Sequence, residues 1–304
     1  SSGYVTLSSV TISTAGGLGI YTAGVRISSW SAISYSTVTA WNAHGLWLNG
    51  STMTVVTNST MTTSSSGSRA LLFTCADNNT VTGSYIENML GNSARLDSGS
   101  DGNMISLSEI YSGAVSFAAL YHNASDSNTV TGSHIENLGS GIAASLDTGS
   151  DYNTVSQSTI VTNAGNPAFF MGTADFNTAT ENYVQNLGGY GIYLISGADD
   201  NIISLSSIIS NAAGYAAVYL DGSDRNTVTG SFLDNQAGFG LDLEPGSDFN
   251  IISLSTMIGG GSDQALYIKQ SSTNSVLDCY VQGSTGALIS GSTGTVIDST
   301  LFVA

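Results

Sequence analysis

Asp224-Arg225-Asn226-Thr227-Val228-Thr229-Gly230-Ser231 is followed, 24 residues on, by Asp248-Phe249-Asn250-Ile251-Ile252-Ser253-Leu254-Ser255. The same phrase, Asp-x-Asn and then a short alternating strand, puts its Asn at Asn79, Asn103, Asn128, Asn153, Asn177, Asn201, Asn226 and Asn250. The intervals are 24 or 25 residues throughout. A further copy lies at Asn274, and the frame continues with replaced anchors at Gly3, Ser31, Thr54 and Gly294. Two residues after each anchor stands a small or aliphatic residue, from Val5, Ile33 and Val56 to Val276 and Val296. Seven after it comes a second apolar column, from Val10, Val38 and Met61 to Val281 and Leu301. A third apolar segment follows in most coils, as in Ile142 to Leu146, Ile192 to Leu194 and Leu241 to Leu243. Three short strands per period of about 24 residues are too short for a helix pair and suit one turn of a β-solenoid.

These columns predict an all-β chain, a right-handed parallel β-helix of about 13 coils with three short strands per coil. At about 4.8 Å per rung, such a stack is a rod roughly 60 Å long. Residues 1–304 are expected to form one β-helix domain, with irregular Trp-containing coils over 1–76 and regular coils over 77–304. A finer period also shows. Asn-Thr-Val-Thr-Gly-Ser recurs at 79–84, 128–133 and 226–231, and Asn-Ile-Ile-Ser-Leu-Ser stands at 201–206 and 250–255, which points to duplication of a two-coil unit.

Between the apolar columns runs a small polar position: Ser8, Ser36, Ser59, Ser84, Ser108, Ser133, Ser158, Asn182, Ser206, Ser231, Ser255, Cys279 and Ser299. An inward ladder at a corner is expected, each hydroxyl bonding its neighbour or a turn amide. Cys279 is one rung of it. Cys75 is too many coils away to reach it, so no disulfide is expected between the two.

Composition sets limits on function. Of the 304 residues 22 are acidic and 5 basic, a net charge of −17, which repels phosphate backbones and excludes nucleic acid. No apolar run is long enough to insert in a membrane as a helix. With two cysteines and an abundance of Ser, Thr, Gly and Asn, the chain reads as extracellular or surface-located.

Gly188-Gly189-Tyr190-Gly191-Ile192-Tyr193-Leu194, then Asp199-Asp200-Asn201-Ile202-Ile203, resembles the repeats of the pectin-lyase-like parallel β-helix superfamily. Asn182-Tyr183-Val184-Gln185-Asn186 is similar to the Asn-x-Ile-x-Asn step of that group. The resemblance implies the fold. Its functions range over lyases, glycosidases, epimerases, tailspikes and non-catalytic surface proteins. The family's catalytic signatures do not carry over. The nearest matches to a polygalacturonase-like set are Asp199-Asp200, Ala43-His44-Gly45 and Tyr267-Ile268-Lys269, in the wrong order and with Tyr in place of Arg. The epimerase-like Asp-Pro-His is absent. No catalytic residue is assigned.

Several features remain as candidate sites. Asp101, Asp126, Asp151, Asp224 and Asp248 belong to a column two before the anchor that also holds Asp77, Asp175 and Asp199. Local Asx-turns account for such a column. The alternative is a row of Ca²⁺ ions that recruits Asp97, Asp147, Asp221, Asp242 or Glu244, so calcium is the one cofactor considered, and none is required. Glu87, Glu136, Asp234 and Gln185 share a further position, read as a solvated face. Trp30, Trp41 and Trp47, with Tyr21 and Tyr35 near them, are candidate contacts for carbohydrate or a partner. His44, His122 and His134 show no metal-ligand spacing.

No capping segment is visible before Tyr4-Val5-Thr6 or after Leu301, so self-association through open ends into a filament, or continuation in a longer repeat protein, is expected. The leading expectation is a structural or surface-presenting solenoid. The alternative is a polysaccharide lyase or hydrolase, or a carbohydrate-binding tailspike-like protein.

Overall fold

The computed structural model describes residues 6–14, 23–27 and 30–303, and every regular element among them is a β-strand. Two compact units, residues 1–154 and 155–304, are considered in turn.

In the first unit each coil sends one strand to each of three parallel sheets, A, B and C in chain order. One coil shows the plan: Thr80–Thr82 joins sheet A, Tyr85–Asn88 sheet B and Ala94–Asp97 sheet C. Register is strict, with Val81 opposite Ile105, Ile86 opposite Ile110 and Leu96 opposite His122. Alternation along a strand sends every second side chain inward. Val56, Val81, Ile105 and Val130 of sheet A, and Met61, Ile86, Ile110 and Ile135 of sheet B, are all buried. Each sheet C strand adds two more inward residues, such as Leu71 and Phe73. Burial of one such side chain contributes about 1.5–3 kcal/mol, which offsets the entropy of ordering a loop-rich coil. The second unit repeats the plan, as in Thr227–Thr229, Phe232–Asn235 and Phe239–Glu244. Its core runs through Ile203, Val228 and Ile252, then Ile208, Leu233 and Met257, then Leu194, Leu220 and Leu243. This is the β-helix that the repeat predicts.

Corners are held by side-chain ladders that interrupt and supplement the backbone pairing between coils. The anchor asparagines are buried; the Asn79 N–H donates to Asn103 Oδ1 at 2.9 Å, and Asn103 Nδ2 donates to the Ala76 carbonyl at 2.7 Å. In the second unit Asn201 N donates to Asn226 Oδ1, and Asn226 Nδ2 to the Ala198 carbonyl, at 2.8 and 2.9 Å. The expected serine ladder forms the next corner. Ser84 N donates to Ser108 Oγ, Ser108 N to Ser133 Oγ, Ser158 N to Asn182 Oδ1, Asn182 N to Ser206 Oγ, Ser206 N to Ser231 Oγ and Ser231 N to Ser255 Oγ, all at 2.9–3.2 Å. A third ladder, through Ser100, Ser125 and Ser150 and through Ser223, Ser247 and Ser271, is additional to those the sequence suggested. Cys75 and Cys279 are both free thiols.

The two-coil period has a steric origin. A Cβ on Gly132 would lie 3.0 Å from the Leu107 side chain of the preceding coil, and one on Gly230 would meet Leu205 at the same distance. Both glycines have positive φ, so the large residue of one coil lies over a bare backbone in the next. The end of sheet B adds a second alternation. Buried Asn137 reaches back to the Phe117 carbonyl and forward to that of Ile142; Asn235 holds those of Ala212 and Tyr215, and the coils between carry Ser112 and Ser210 at this position.

Register corrects the sequence frame in its first and last coils. Leu7 lies opposite Ile33 and Ile12 opposite Val38, so the rungs of the first coil fall at Leu7 and Ile12, and Val10 is not one of them. Val10 rather than Ser8 sits at the ladder, its N–H donating to Ser36 Oγ. A two-residue slip keeps the same face inward, so alternation alone cannot detect it. Gly3, Tyr4, Val5 and Tyr21 lie outside the described residues. Ile297 and Phe302 take the positions assigned to Val296 and Leu301, and Thr300 that of Ser299. Adjacent apolar pairs at 296–297 and 301–302 left that choice open in the pattern.

Candidate functional site

The outward side of sheet C in the second unit departs furthest from the repeat. Strands Phe169–Gly172, Ile192–Ile195, Ala216–Asp221, Phe239–Glu244 and Leu266–Lys269 lie side by side. Register aligns Phe170, Tyr193, Tyr219, Asp242 and Tyr267 in one outward column. Tyr190, just before its strand, stacks on Tyr219 with ring centroids 4.6 Å apart and 21° between planes. Tyr193 and Tyr215 meet this pair at steeper angles, and Phe239 stacks on Tyr267 at 5.5 Å. Gly240 lets this strand sit close to its neighbour, since a Cβ there would fall 2.6 Å from the Ala265 carbonyl oxygen.

Among these rings lies Asp242, only 5% exposed, with its Oδ1 lacking a hydrogen-bond partner. Burial, reinforced by the nearby Glu244 carboxylate, pushes its carboxyl up to about 8, with Lys269 opposing. Glu244 is anchored by Lys269 Nζ at 3.0 Å, an ion pair that also raises the lysine. Asp221 is aligned beside Glu244. Burial, then the charges of Tyr193 and Asp242, pushes the Tyr190 phenol up to about 12; burial, then Tyr190 and Asp242, raises Tyr219 further. At neutral pH the face thus presents neutral phenols, with a buried carboxyl that keeps its proton beneath them.

The matching face of the first unit has different chemistry. The Arg95 guanidinium lies 5.0 Å over the Tyr121 ring and 3.0 Å from Asp97, and Tyr121 bonds Asp147. Trp47 donates to Thr74 Oγ1, and its ring lies 5.7 Å from that of His44. The Arg69 N–H donates to His44 Nδ1; burial, with the Arg69 charge, lowers this imidazole to about 4.

The three tryptophans are not gathered into one site. Trp30 precedes a sheet A strand, Trp41 follows a sheet B strand, and Trp47 lies within sheet C. Trp30 and Trp41 are exposed, and Trp41 lines a shallow cavity of about 270 Å³ with Thr62 and Glu87. In the aspartate column the bonds differ from Asx-turns, because each carboxylate accepts from the next coil. Asp101 N donates to Asp77, Asp126 N to Asp101 and Asp151 N to Asp126; in the second unit Asp224 N donates to Asp199, Asp248 N to Asp224 and Ser272 N to Asp248. Among the described residues, no three His, Cys, Asp or Glu side chains form a metal-binding group. Glu87 and Glu136 are separated by Tyr111, two rungs or about 10 Å apart, and bond Tyr85 and His134 respectively. Asp199 and Asp200 are held by Arg225 at the corner before sheet A, whereas Lys269 lies on sheet C, so the polygalacturonase-like fragments do not assemble.

Residues 23–183 and 168–303 match the family described as the right handed beta helix region, and the chain belongs to that family. No curated protein matches the sequence significantly. Among solved structures, the A-module of the Azotobacter vinelandii mannuronan C-5 epimerase AlgE6 is similar, with a TM-score of 0.71 at 10% identity over 99% of this chain and 91% of that one. The periplasmic alginate epimerase AlgG gives 0.67 at 12% identity over 89% and 75%. A third, the DFA-IIIase of Arthrobacter chlorophenolicus A6 in complex with DFA-III, gives 0.56 at 8% identity over 85% and 74%. At these identities the likeness is one of fold.

Proposed function

We propose that this chain is a carbohydrate-binding β-helix protein of the extracellular or surface compartment, with its binding face on sheet C of the second unit. The observation that carries the reading is the half-exposed tyrosine cluster around the buried, unpartnered Asp242 carboxyl. Aromatic rings present flat apolar faces to the C–H side of a sugar, and a buried neutral carboxyl beneath them adds no charge to the face. Support also comes from the neighbours in fold, which include two epimerases, one of them periplasmic, and a DFA-IIIase. The structural-rod alternative draws no such support.

Affinity electrophoresis of the full chain through gels cast with a panel of polysaccharides tests the proposal. Retardation by at least one of them is expected, and the Tyr190→Ala/Tyr219→Ala double variant should migrate freely. Unretarded migration of the native chain in every gel would sink the reading.

A further inference from the structure

We infer that the face around Asp242 takes an uncharged glycan chain and discriminates against polyuronates, an inference that rests on the carbohydrate-binding reading above. In sequence, the second unit contains only two basic side chains, Arg225 and Lys269, and no histidine. Arg225 is held by Asp199 and Asp200 at 2.9 and 3.0 Å, at a corner away from sheet C. Lys269 does reach the face, but its ammonium is paired with Glu244 at 3.0 Å. No cation there is left without a carboxylate.

Around the tyrosines stand Asp221, Glu244 and Asp263, the last already accepting from the Gly214 N–H at 3.1 Å. A uronate approaching this group meets net negative charge inside a partly desolvated site, where like-charge juxtaposition is disfavoured. A neutral sugar meets no such term. Its C–H faces fit the half-exposed Tyr190–Tyr219 stack and the Phe239–Tyr267 pair.

Titration calorimetry of the full chain provides the test, with cello-, xylo-, malto- and mannohexaose against hexamers of galacturonate and mannuronate. At least one neutral hexamer should bind about tenfold or more tightly than either uronate, a gap of about 1.4 kcal/mol. Raising the salt from about 0.05 to about 0.5 M should leave that affinity within about twofold, because no ion pair forms on binding. Tyr219→Ala should weaken it about tenfold. Should that variant fail to fold, Tyr193→Ala serves in its place. Uronate binding as tight as neutral binding overturns the inference and leaves the carbohydrate reading standing. Failure of every hexamer to bind overturns both.

Discussion

Within one repeat plan, the two units bury opposite kinds of titratable group. In the first unit the inward sheet C position that holds Phe73, Leu96 and Leu146 holds His122 in the intervening coil. It is fully buried, neither ring nitrogen has a hydrogen-bond partner of good geometry, and burial lowers it to about 4 despite the nearby Asn153 amide. In the second unit the buried group is Asp242 on the outer face, raised to about 8. A frame this regular tolerates a buried titratable group provided the group stays neutral, and the neutral states of His122 and Asp242 are lost in opposite directions of pH.

The largest effect should fall on what the units share. Asn103→Leu and Asn226→Leu each remove a buried acceptor and a buried donor from a corner, leaving the Asn79 and Asn201 N–H groups unpaired. A loss of about 2–4 kcal/mol in urea unfolding is expected in both units. A much smaller loss in one of them would show that its ladder is redundant.

Next comes the acid side. His122 protonates at 6.5 when unfolded and near 4 when folded, so the unfolded chain binds more protons between these values. The contribution of this group to stability should therefore fall as pH drops from about 6.5 towards 4. His122→Leu should remove part of that slope and add about 1–2 kcal/mol, since two unpaired nitrogens leave the core. The sign reverses for Asp242. The native chain keeps the proton from 3.8 up to about 8 while the unfolded chain loses it, so stability falls as pH rises across that window. The two slopes oppose each other between about 4 and 6.5, so Asp242→Asn should flatten the alkaline limb and steepen the acid one. Equal acid limbs in wild type and His122→Leu, or an unaltered alkaline limb in Asp242→Asn, would break the contrast between the units.

Smaller effects sharpen it. Arg95→Ala should cost about 0.5–1 kcal/mol through loss of the contact over Tyr121, with no change in glycan binding. Chelation of divalent cations should leave the melting temperature within about 1 °C, because a ligand that does not bind the folded state cannot stabilise it. A larger drop would restore calcium to the aspartate column.

Much of this was legible in the sequence, for an identifiable reason. Inward positions repeat because each coil must pack on the next, so Val81, Ile105 and Val130 declare themselves by spacing. Ser108 and Ser206 do so as well, because an unpaired corner amide recurs at every rung. The candidate face obeys no such constraint. Tyr193, Tyr219 and Tyr267 occupy equivalent positions, but the segment between sheets B and C varies in length and shifts them out of the 24–25-residue frame. Asp242 looked like one more acid near a turn. Its environment depends on rings supplied by the neighbouring coil and by the lead-in to its strand, which only the register reveals.

The overlay of Leu107 on Gly132 and of Leu205 on Gly230 carries a consequence for how such a chain can change length. Excising one coil there would set like beside like, two bare backbones if the leucine coil is lost and a bulky side chain against a Cβ if the glycine coil is. Removing or adding two leaves the phase intact. At these two corners an even step therefore conserves the overlay, whereas the successive Gln157, Glu181 and Leu205 mark a stretch where side chains already follow one another and an odd step is accommodated.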